Sequence, residues 1–196
     1  MLCRDVWNAV EEASEGDDLF LTLVIDCSKG YNCMDHDWIK RCLEKAGVPK
    51  RILNVVSALL VNMPVLMLDG VVYSPLTLLA GLTQGCPASC MLYIIAVDPM
   101  LAALQRKPRL RSVSGFVDDW SMGCKGLSVV AEVSALIVDF ERASGQRINR
   151  TKSAAIPARV LTQFEQLILF AAWGGRAPCI IQRAGAGSVH RSERPD

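Results

Sequence analysis

The chain has few histidines and no closely paired cysteines. Only 2 of its 196 residues are histidine, and its 8 cysteines include no Cys-x-x-Cys pair. Zinc sites are built from cysteine and histidine at short, repeated spacings, so a zinc site is disfavoured. The chain also opens without a charged segment, apolar stretch and cleavage site, which disfavours secretion and a disulfide framework. We therefore expect reduced, packing cysteines and an intracellular protein, nuclear or cytoplasmic.

Long uninterrupted apolar runs are also missing. Residues 52–72 and 88–104 are rich in apolar side chains, but Pro64 and Asp69-Gly70 interrupt the first and Asp98-Pro99 interrupts the second. A helix that crosses a bilayer needs about 20 consecutive apolar residues. Both stretches are therefore predicted to be buried core, and no membrane is expected as a partner.

An excess of charge of one sign is absent, because the formal net charge is only +1. A basic surface can therefore be only local. One short run carries four positive charges without an acid, and it consists of Arg106, Lys107, Arg109 and Arg111. Such a run is either a solvated loop or a contact to the phosphate backbone of a nucleic acid, and the sequence leaves both interpretations open.

The remaining pattern predicts one α+β domain. Hydrophobic residues make up 51% of the chain, enough for one substantial core. Asp69-Gly70 between apolar runs predicts a tight hairpin over residues 65–73, and two hairpins imply antiparallel pairing rather than a doubly wound parallel sheet. Helices are predicted near residues 1–15, 38–46, 49–60, 88–104, 129–144 and 162–173.

Two adjacent carboxylates are the most informative local feature. Asp118 and Asp119 lie between two short apolar runs within residues 115–121, which predicts a strand, a tight turn and a strand. Asp26 ends another apolar run, residues 19–25. If these strands lie side by side, Asp26 and Asp118 provide the hard oxygen ligands that Mg²⁺ prefers. Paired acids at a turn, taken alone, are more often a solvated hairpin tip.

Three segments, two of which contain these acids, carry a resemblance to a known family. Residues 26–32 are Asp-Cys-Ser-Lys-Gly-Tyr-Asn, residues 84–89 are Gln-Gly-Cys-Pro-Ala-Ser, and residues 116–119 are Phe-Val-Asp-Asp. This order resembles the palm of reverse transcriptases from non-LTR retrotransposons and group II introns, whose pattern is Asp-x-Ser-Lys-Ala-Phe-Asp, Gln-Gly-Cys-Pro-x-Ser and Phe-Ala-Asp-Asp. Residues 144–153 are similar to the family's Ser-Gly-Leu-x-Ile-Asn-x-x-Lys-Ser segment. The likeness covers about residues 19–157.

The resemblance implies an RNA-directed DNA polymerase with two Mg²⁺ ions, or Mn²⁺ in their place. Asp26, Asp118 and Asp119 would be catalytic, and Cys27 joins them in the implied metal set. One ion would lower the pKa of a primer 3′-hydroxyl, and the other would brace the triphosphate of a dNTP. The implied partners are an RNA template, a DNA primer and the dNTP.

The resemblance also implies binding roles for four other residues. Tyr31 would lie under the incoming sugar and exclude a ribose 2′-hydroxyl, and Gln84 and Gly85 would lie along the template base and the incoming nucleotide. Lys152 would contact a phosphate or donate a proton. From the residues alone, Tyr31 could also be a core tyrosine and Gln84-Gly85 a helix-opening turn, and a lysine on a loop, such as Lys152, is usually solvated.

The chain departs from the family pattern at three positions near the site. Asn32 stands where the family usually has aspartate, Gly30 where it has alanine, and Val117 where it has alanine before the acid pair. The added methyl groups of Val117 are expected to crowd the hairpin.

The predicted organisation follows from the extent of the resemblance. Residues 1–157 form a partial palm-like domain, an antiparallel sheet packed against helices with truncated fingers and thumb. Residues 158–173 form a helix of a truncated thumb or connection. Residues 174–196, rich in glycine, arginine, serine and alanine, are expected to be a disordered tail.

Two other functions stay open at this point. One is a catalytically inactive retroelement remnant that binds nucleic acid or a partner through its basic run. The other is a different palm-type enzyme such as a nucleotide cyclase, which residues 84–87 disfavour.

Overall fold

The computed structural model describes residues 19–28, 30–60, 67–72, 79–173, 179–184 and 188–191. The helix predicted over residues 1–15 and the outer parts of the hairpin predicted over residues 65–73 lie outside these ranges. The elements, in chain order, are β1 (Phe20–Ser28), α1 (Gly30–Cys33), α2 (His36–Lys45), α3 (Lys50–Leu60), β2 (Met67–Leu68), β3 (Val71–Val72), α4 (Pro87–Gln105), β4 (Leu110–Phe116), β5 (Asp119–Lys125), α5 (Ser128–Ser144), β6 (Arg147–Ile148), β7 (Ala154–Pro157), α6 (Gln163–Ala172), β8 (Cys179–Ala184) and β9 (Ser188–Arg191).

The main sheet has the order β4-β5-β1-β7-β8-β9, with β6 paired to the end of β1. All neighbours are antiparallel except β7 and β8, which run parallel. Strand β1 lies between β5 and β7, and its side chains from Phe20 to Leu23 are all buried. This central position explains why its sequence is a nearly continuous apolar run. The predicted α+β class with an antiparallel sheet is confirmed.

The helices cover the sheet and meet in one core. Helix α4 contributes Leu92, Tyr93 and Ala96 to this core, and the Trp38 indole N–H of α2 donates to the Ala96 carbonyl at 2.8 Å. The Trp38 ring also meets Phe140 of α5 edge to face. By length and composition alone, α4 could cross a membrane. In this fold one of its faces packs into the protein core.

The small hairpin β2–β3 has the geometry that its turn residues favour. Asp69 and Gly70 form the turn, with φ angles of 50° and 78°. Two successive positive φ angles are what a two-residue turn of type I′ requires. The predicted Asp-Gly turn is confirmed.

Helix α6 begins with the predicted capping box. The Glu165 N–H donates to the Thr162 hydroxyl at 3.3 Å, and the Thr162 N–H donates to the Glu165 carboxylate at 2.9 Å. The guanidinium of Arg159 also binds this carboxylate. Together, Arg159 first and Thr162 second, these donors lower the pKa of Glu165 to about 2. Glu165 is therefore charged at neutral pH, and its charged carboxylate caps the start of the helix.

Removing this cap should weaken α6 measurably. In Thr162→Ala, the Glu165 N–H loses its acceptor, and we expect a loss of about 1 kcal/mol in the free energy of unfolding. For a chain of this size, that corresponds to a fall in melting temperature of roughly 2–4 °C. Thermal unfolding at pH 7 measures it. Thr162→Ser keeps the hydroxyl and should melt like the wild type; an equal fall in both variants would contradict the assignment.

The described part of the predicted disordered tail, residues 179–184 and 188–191, forms two strands. Ala154 and Ala155 of β7 pair with Cys179 and Ile180 of β8, and β9 continues the sheet beyond β8. The physical reason is the outer edge of β7, which offers unpaired backbone groups that β8 satisfies. Ile180 is buried in the core as a consequence.

Candidate active site

The acid pair lies at the tip of the hairpin β4–β5. Phe116 pairs with Asp119, which leaves Val117 and Asp118 as the two turn residues. Val117 has a φ of 55°, a conformation that β-branched residues rarely adopt. The buried Trp120 stabilises this turn, since its indole N–H donates to the Val117 carbonyl at 3.0 Å. The predicted hairpin is present, and its tip is strained at the residue that departs from the family pattern.

Pairing between β1 and β5 brings the chain-distant acids together. Asp26 is directly opposite Asp119, and cross-strand partners share one face of a sheet. The Cys27 N–H donates to the Asp118 carbonyl at 3.3 Å, so the turn is tied to the end of β1. Asp118 and Asp119 are exposed, and Asp26 is half-buried. The predicted side-by-side arrangement of the two strands is present.

The loop after β6 holds the backbone of Asp26 from the other side. The Asn149 N–H donates to the Asp26 carbonyl at 2.8 Å, and the Asp26 N–H donates to the Ser153 hydroxyl at 3.2 Å. Ser153 is fully buried and donates in turn to the Asn149 carbonyl. Lys152 lies in this loop with an exposed side chain. The segment that resembles the family's last motif therefore fixes Asp26 and places Lys152 on the same loop.

The helix α1 is tied to the segment before α4. The Leu82 N–H donates to the Tyr31 carbonyl at 2.6 Å, and the Gly81 N–H donates to the Met34 carbonyl at 2.8 Å. The His36 ring bonds to the Gly81 carbonyl at 2.7 Å. These bonds fix the distance between the Tyr31 segment and the Gln84-Gly85 turn.

Gln84 and Gly85 form an exposed turn that a serine anchors. The Ser89 hydroxyl donates to the Thr83 carbonyl at 2.6 Å, and the Cys86 N–H donates to the same oxygen at 3.3 Å. Gly85 has a φ of 86°, and the space beside its Cα is open. Glycine is favoured there by its backbone conformation. The turn leaves the Gln84 side chain exposed.

Cys27 cannot offer its sulfur to a metal in this arrangement. The side chain points into the core with 6% exposure, while Asp26 before it points to the opposite face. Burial is the largest influence and raises the pKa of its thiol to about 12; the hydrogen bond with the Tyr93 hydroxyl lowers the pKa, and the nearby carboxylates raise it. The metal role that the resemblance implies for Cys27 could therefore involve only its backbone oxygen, because its side chain lies in the core.

The three acids form an open ligand set, which means that other ligands must complete the shell of a bound cation. Within the described ranges, no three histidine, cysteine, aspartate or glutamate side chains lie close enough together to hold a metal ion. The donors present are still of the right kind, because carboxylate oxygens from Asp26, Asp118 and Asp119 suit a hard cation. Mg²⁺ commonly keeps waters and substrate phosphates in its shell and needs only one or two protein carboxylates. The residues therefore fit Mg²⁺ bound together with a nucleotide.

The basic run lies far from these acids. Arg109 precedes β4, whose seven residues separate it from the tip, a distance of roughly 25 Å at about 3.3 Å per residue. Lys107 pairs with Glu132 at 3.1 Å, and Arg109 donates to the Ser128 hydroxyl at 2.9 Å. Arg106 and Arg111 are exposed. The structure therefore places the run at the opposite end of the hairpin, with two of its members tied to α5.

Most of the chain matches the model of one protein family. The family model described as reverse transcriptase (RNA-dependent DNA polymerase) matches residues 6–163. The chain belongs to the reverse transcriptase family. This confirms the relationship that the three motifs predict.

One curated protein is similar in sequence to this reverse transcriptase domain. The chain is 24% identical over 144 residues to the transposon TX1 uncharacterized 149 kDa protein of Xenopus laevis, covering 68% of this chain and 11% of that protein. The chain thus spans about a tenth of the curated relative that it matches. A transposon protein as relative agrees with the predicted retrotransposon class.

The solved structures show the fold. Apo telomerase from Candida tropicalis, truncated from its C-terminal domain, matches with a TM-score of 0.58 at 14% identity, over 81% of this chain and 34% of that chain. Telomerase from Candida albicans, in complex with a fragment of telomeric RNA, matches with a TM-score of 0.61 at 13% identity, over 83% and 30%. A palm-like fold is confirmed by these two neighbours.

Sequence reasoning missed several residues that shape the site. Ser153 and Ser89 both lie in the segments that carry the family resemblance, but nothing in their local sequence shows what their hydroxyls bind. Tyr93 lies in the middle of an apolar helix and carries no motif. The contact of Gly30 with Tyr93 joins positions 63 residues apart, and only the fold reveals it.

Proposed function

We propose that this chain is the palm region of an RNA-directed DNA polymerase that transfers a nucleotide from a dNTP to a primer 3′-hydroxyl. The observation that carries the proposal is the register between β1 and β5, which places Asp26 opposite Asp119 and ties Cys27 to Asp118. Bound Mg²⁺ would activate the primer hydroxyl and stabilise the charge that develops on the phosphates. The carboxylates of Asp26 and Asp118 would hold it, and Asp119 would support them.

The neighbouring segments supply the surfaces for the nucleotide and the template. Tyr31 flanks the acids and would exclude a ribose 2′-hydroxyl. Gln84 and Gly85 are exposed on a turn that can lie against the base pair, and Lys152 would contact a phosphate. Template RNA and primer DNA are the proposed partners; that one telomerase neighbour is bound to RNA supports this choice. The exposed Arg106 and Arg111 would contact nucleic-acid backbone away from the reacting atoms.

The second candidate is a remnant without catalysis that binds nucleic acid. The open ligand set favours it, because the described acids do not form a metal site on their own. The site would then need a nucleotide or further protein groups to hold a cation.

A primer-extension assay separates the two candidates. The purified chain, an annealed RNA template with a DNA primer, and dNTPs should give extended primer with Mg²⁺ or Mn²⁺, and none with EDTA. Extension that continues at full rate in EDTA would contradict the metal-dependent proposal. Absence of extension under all conditions, together with salt-sensitive binding of the template, would favour the remnant.

A further inference from the structure

The buried Tyr93 connects three parts of the candidate nucleotide site. Its ring stacks on Tyr31, with ring centroids 4.9 Å apart and planes 22° from parallel. This separation is typical of an offset aromatic stack. Tyr31 belongs to α1, a helix of only four residues, and Tyr93 to the 19-residue α4. The ring on the short helix therefore rests against a ring of the long helix that is packed in the core.

The hydroxyl of Tyr93 reaches the space next to Gly30 and Asp118. A Cβ atom added to Gly30 would lie 2.9 Å from the Tyr93 hydroxyl oxygen and 3.4 Å from the Asp118 Cβ. No real Cβ makes a contact of 2.9 Å without movement of its neighbour. Glycine at position 30 therefore gives the tyrosine hydroxyl its room, and this accounts for the departure from the family's alanine.

The same hydroxyl is buried beside the thiol of Cys27. Tyr93 is 0% exposed, and the Cys27 sulfur is a weak partner that is poorly aligned with its hydroxyl. Such a contact compensates only partly for the burial of a hydroxyl, so phenylalanine would serve the core about as well. The hydroxyl points towards the acid turn and Gly30. The ring, through its stack on Tyr31, is therefore the part of Tyr93 that can support the site.

We propose that Tyr93 is a positioning residue that holds Tyr31 against the sugar of the incoming nucleotide, with Gly30 making the necessary room. This inference rests on the proposed polymerase function. It assigns sugar selection to a pair of stacked rings, of which only one would touch the nucleotide. Loss of the supporting ring lets the other move, and the site then accepts a ribose more readily.

Equilibrium binding tests this without requiring turnover. The probes are the deoxyribo- and ribonucleoside triphosphates of 2-aminopurine, titrated with Mn²⁺ and primer–template into the purified chain. The wild type should prefer the deoxyribonucleotide. Tyr93→Leu removes the stack and should reduce the ratio of the two dissociation constants about tenfold. Tyr93→Phe keeps the stack and should stay within about twofold of the wild type.

Gly30 gives an independent measurement of the same contact. Gly30→Ala should displace the Tyr93 ring and reduce the ratio, and Gly30→Ala combined with Tyr93→Phe should restore most of it, because the clashing oxygen is gone. The ratio compares two ligands on one protein, so a general loss of folded protein cancels. Primer extension with dNTP and rNTP should show the same change as a shift in the KM ratio.

The outcomes distinguish a failure of this inference from a failure of the proposed function on which it rests. If the wild type binds neither nucleotide, the proposed function fails and the inference fails with it. If the wild type prefers the deoxyribonucleotide and Tyr93→Leu shows the same preference, the inference alone is overturned. Failure of the double variant to recover any selectivity would also overturn the role of Gly30.

Discussion

Asp118→Asn should reduce Mg²⁺-dependent primer extension by more than about a hundredfold while the protein remains folded. The amide has nearly the shape of the carboxylate but no charge, so it cannot neutralise a divalent cation or the developing charge on the phosphates. Asp118 is exposed on a turn, and no side-chain hydrogen bond to it is present among the described contacts. The loss should therefore appear in kcat, and the melting temperature should stay close to that of the wild type.

The other hairpin of this chain provides a matched control for this variant. Asp69 is also an exposed aspartate in a two-residue turn, with a positive φ that asparagine tolerates well. Asp69→Asn should extend primers at the wild-type rate. If Asp118→Asn keeps activity within about threefold of this control, Asp118 has no part in the chemistry. Asp26→Asn should match Asp118→Asn, because both carboxylates are proposed to hold the same two Mg²⁺ ions.

Local patterns were sufficient to predict the hairpins and the helix ends. Asp69-Gly70 and the acids after Phe116 each interrupt apolar runs, and that arrangement favours a turn between two strands. The Thr162 cap follows from the spacing to Glu165 alone. These features depend on residues close in sequence, and for that reason they could be predicted without the fold.

The contacts that build the site could not be predicted in the same way. The bond from the Asp26 N–H to the Ser153 hydroxyl joins residues 127 positions apart, and any buried serine could have been its partner. Strand β8 was missed for a related reason. Its short apolar run lies among glycines and arginines, and it becomes a strand because β7 offers an edge. In both cases the tertiary partner decides the local structure.

At Val117, the effect expected from the sequence takes a different form in the structure. Its position before the acids predicts crowding, and the structure shows instead a left-handed backbone at a β-branched residue. The Trp120 indole that bonds to its carbonyl holds this conformation in place. Strain of this kind, of order 1–3 kcal/mol, persists only where the surroundings enforce it. The hairpin tip is thus fixed by the core below it, which keeps Asp118 beside β1.

Gly145→Ala should be the most destabilising substitution of a glycine outside the nucleotide site. Gly145 ends α5 with a φ of 73°, and an added Cβ would lie 2.6 Å from the Cys33 carbonyl oxygen. This neighbour is backbone, and the adjacent Asp35 N–H is bonded to the Ser144 carbonyl at 2.7 Å, so it cannot move freely. The left-handed strain costs about 1–2 kcal/mol, and overpacking against the backbone adds about 1–3 kcal/mol.

Gly47→Ala isolates the contribution of that contact. Gly47 also follows a helix with a φ of 78°, but nothing lies within 4 Å of the added Cβ, so only the backbone strain remains. Urea unfolding should show a loss of about 1–2 kcal/mol in Gly47→Ala and roughly twice that in Gly145→Ala. Equal losses would mean that residues 33–35 yield easily. A larger loss at Gly145 would show that the end of α5 is rigidly packed against the segment that follows Tyr31, so that the nucleotide side of the site depends on a helix end far from it in sequence.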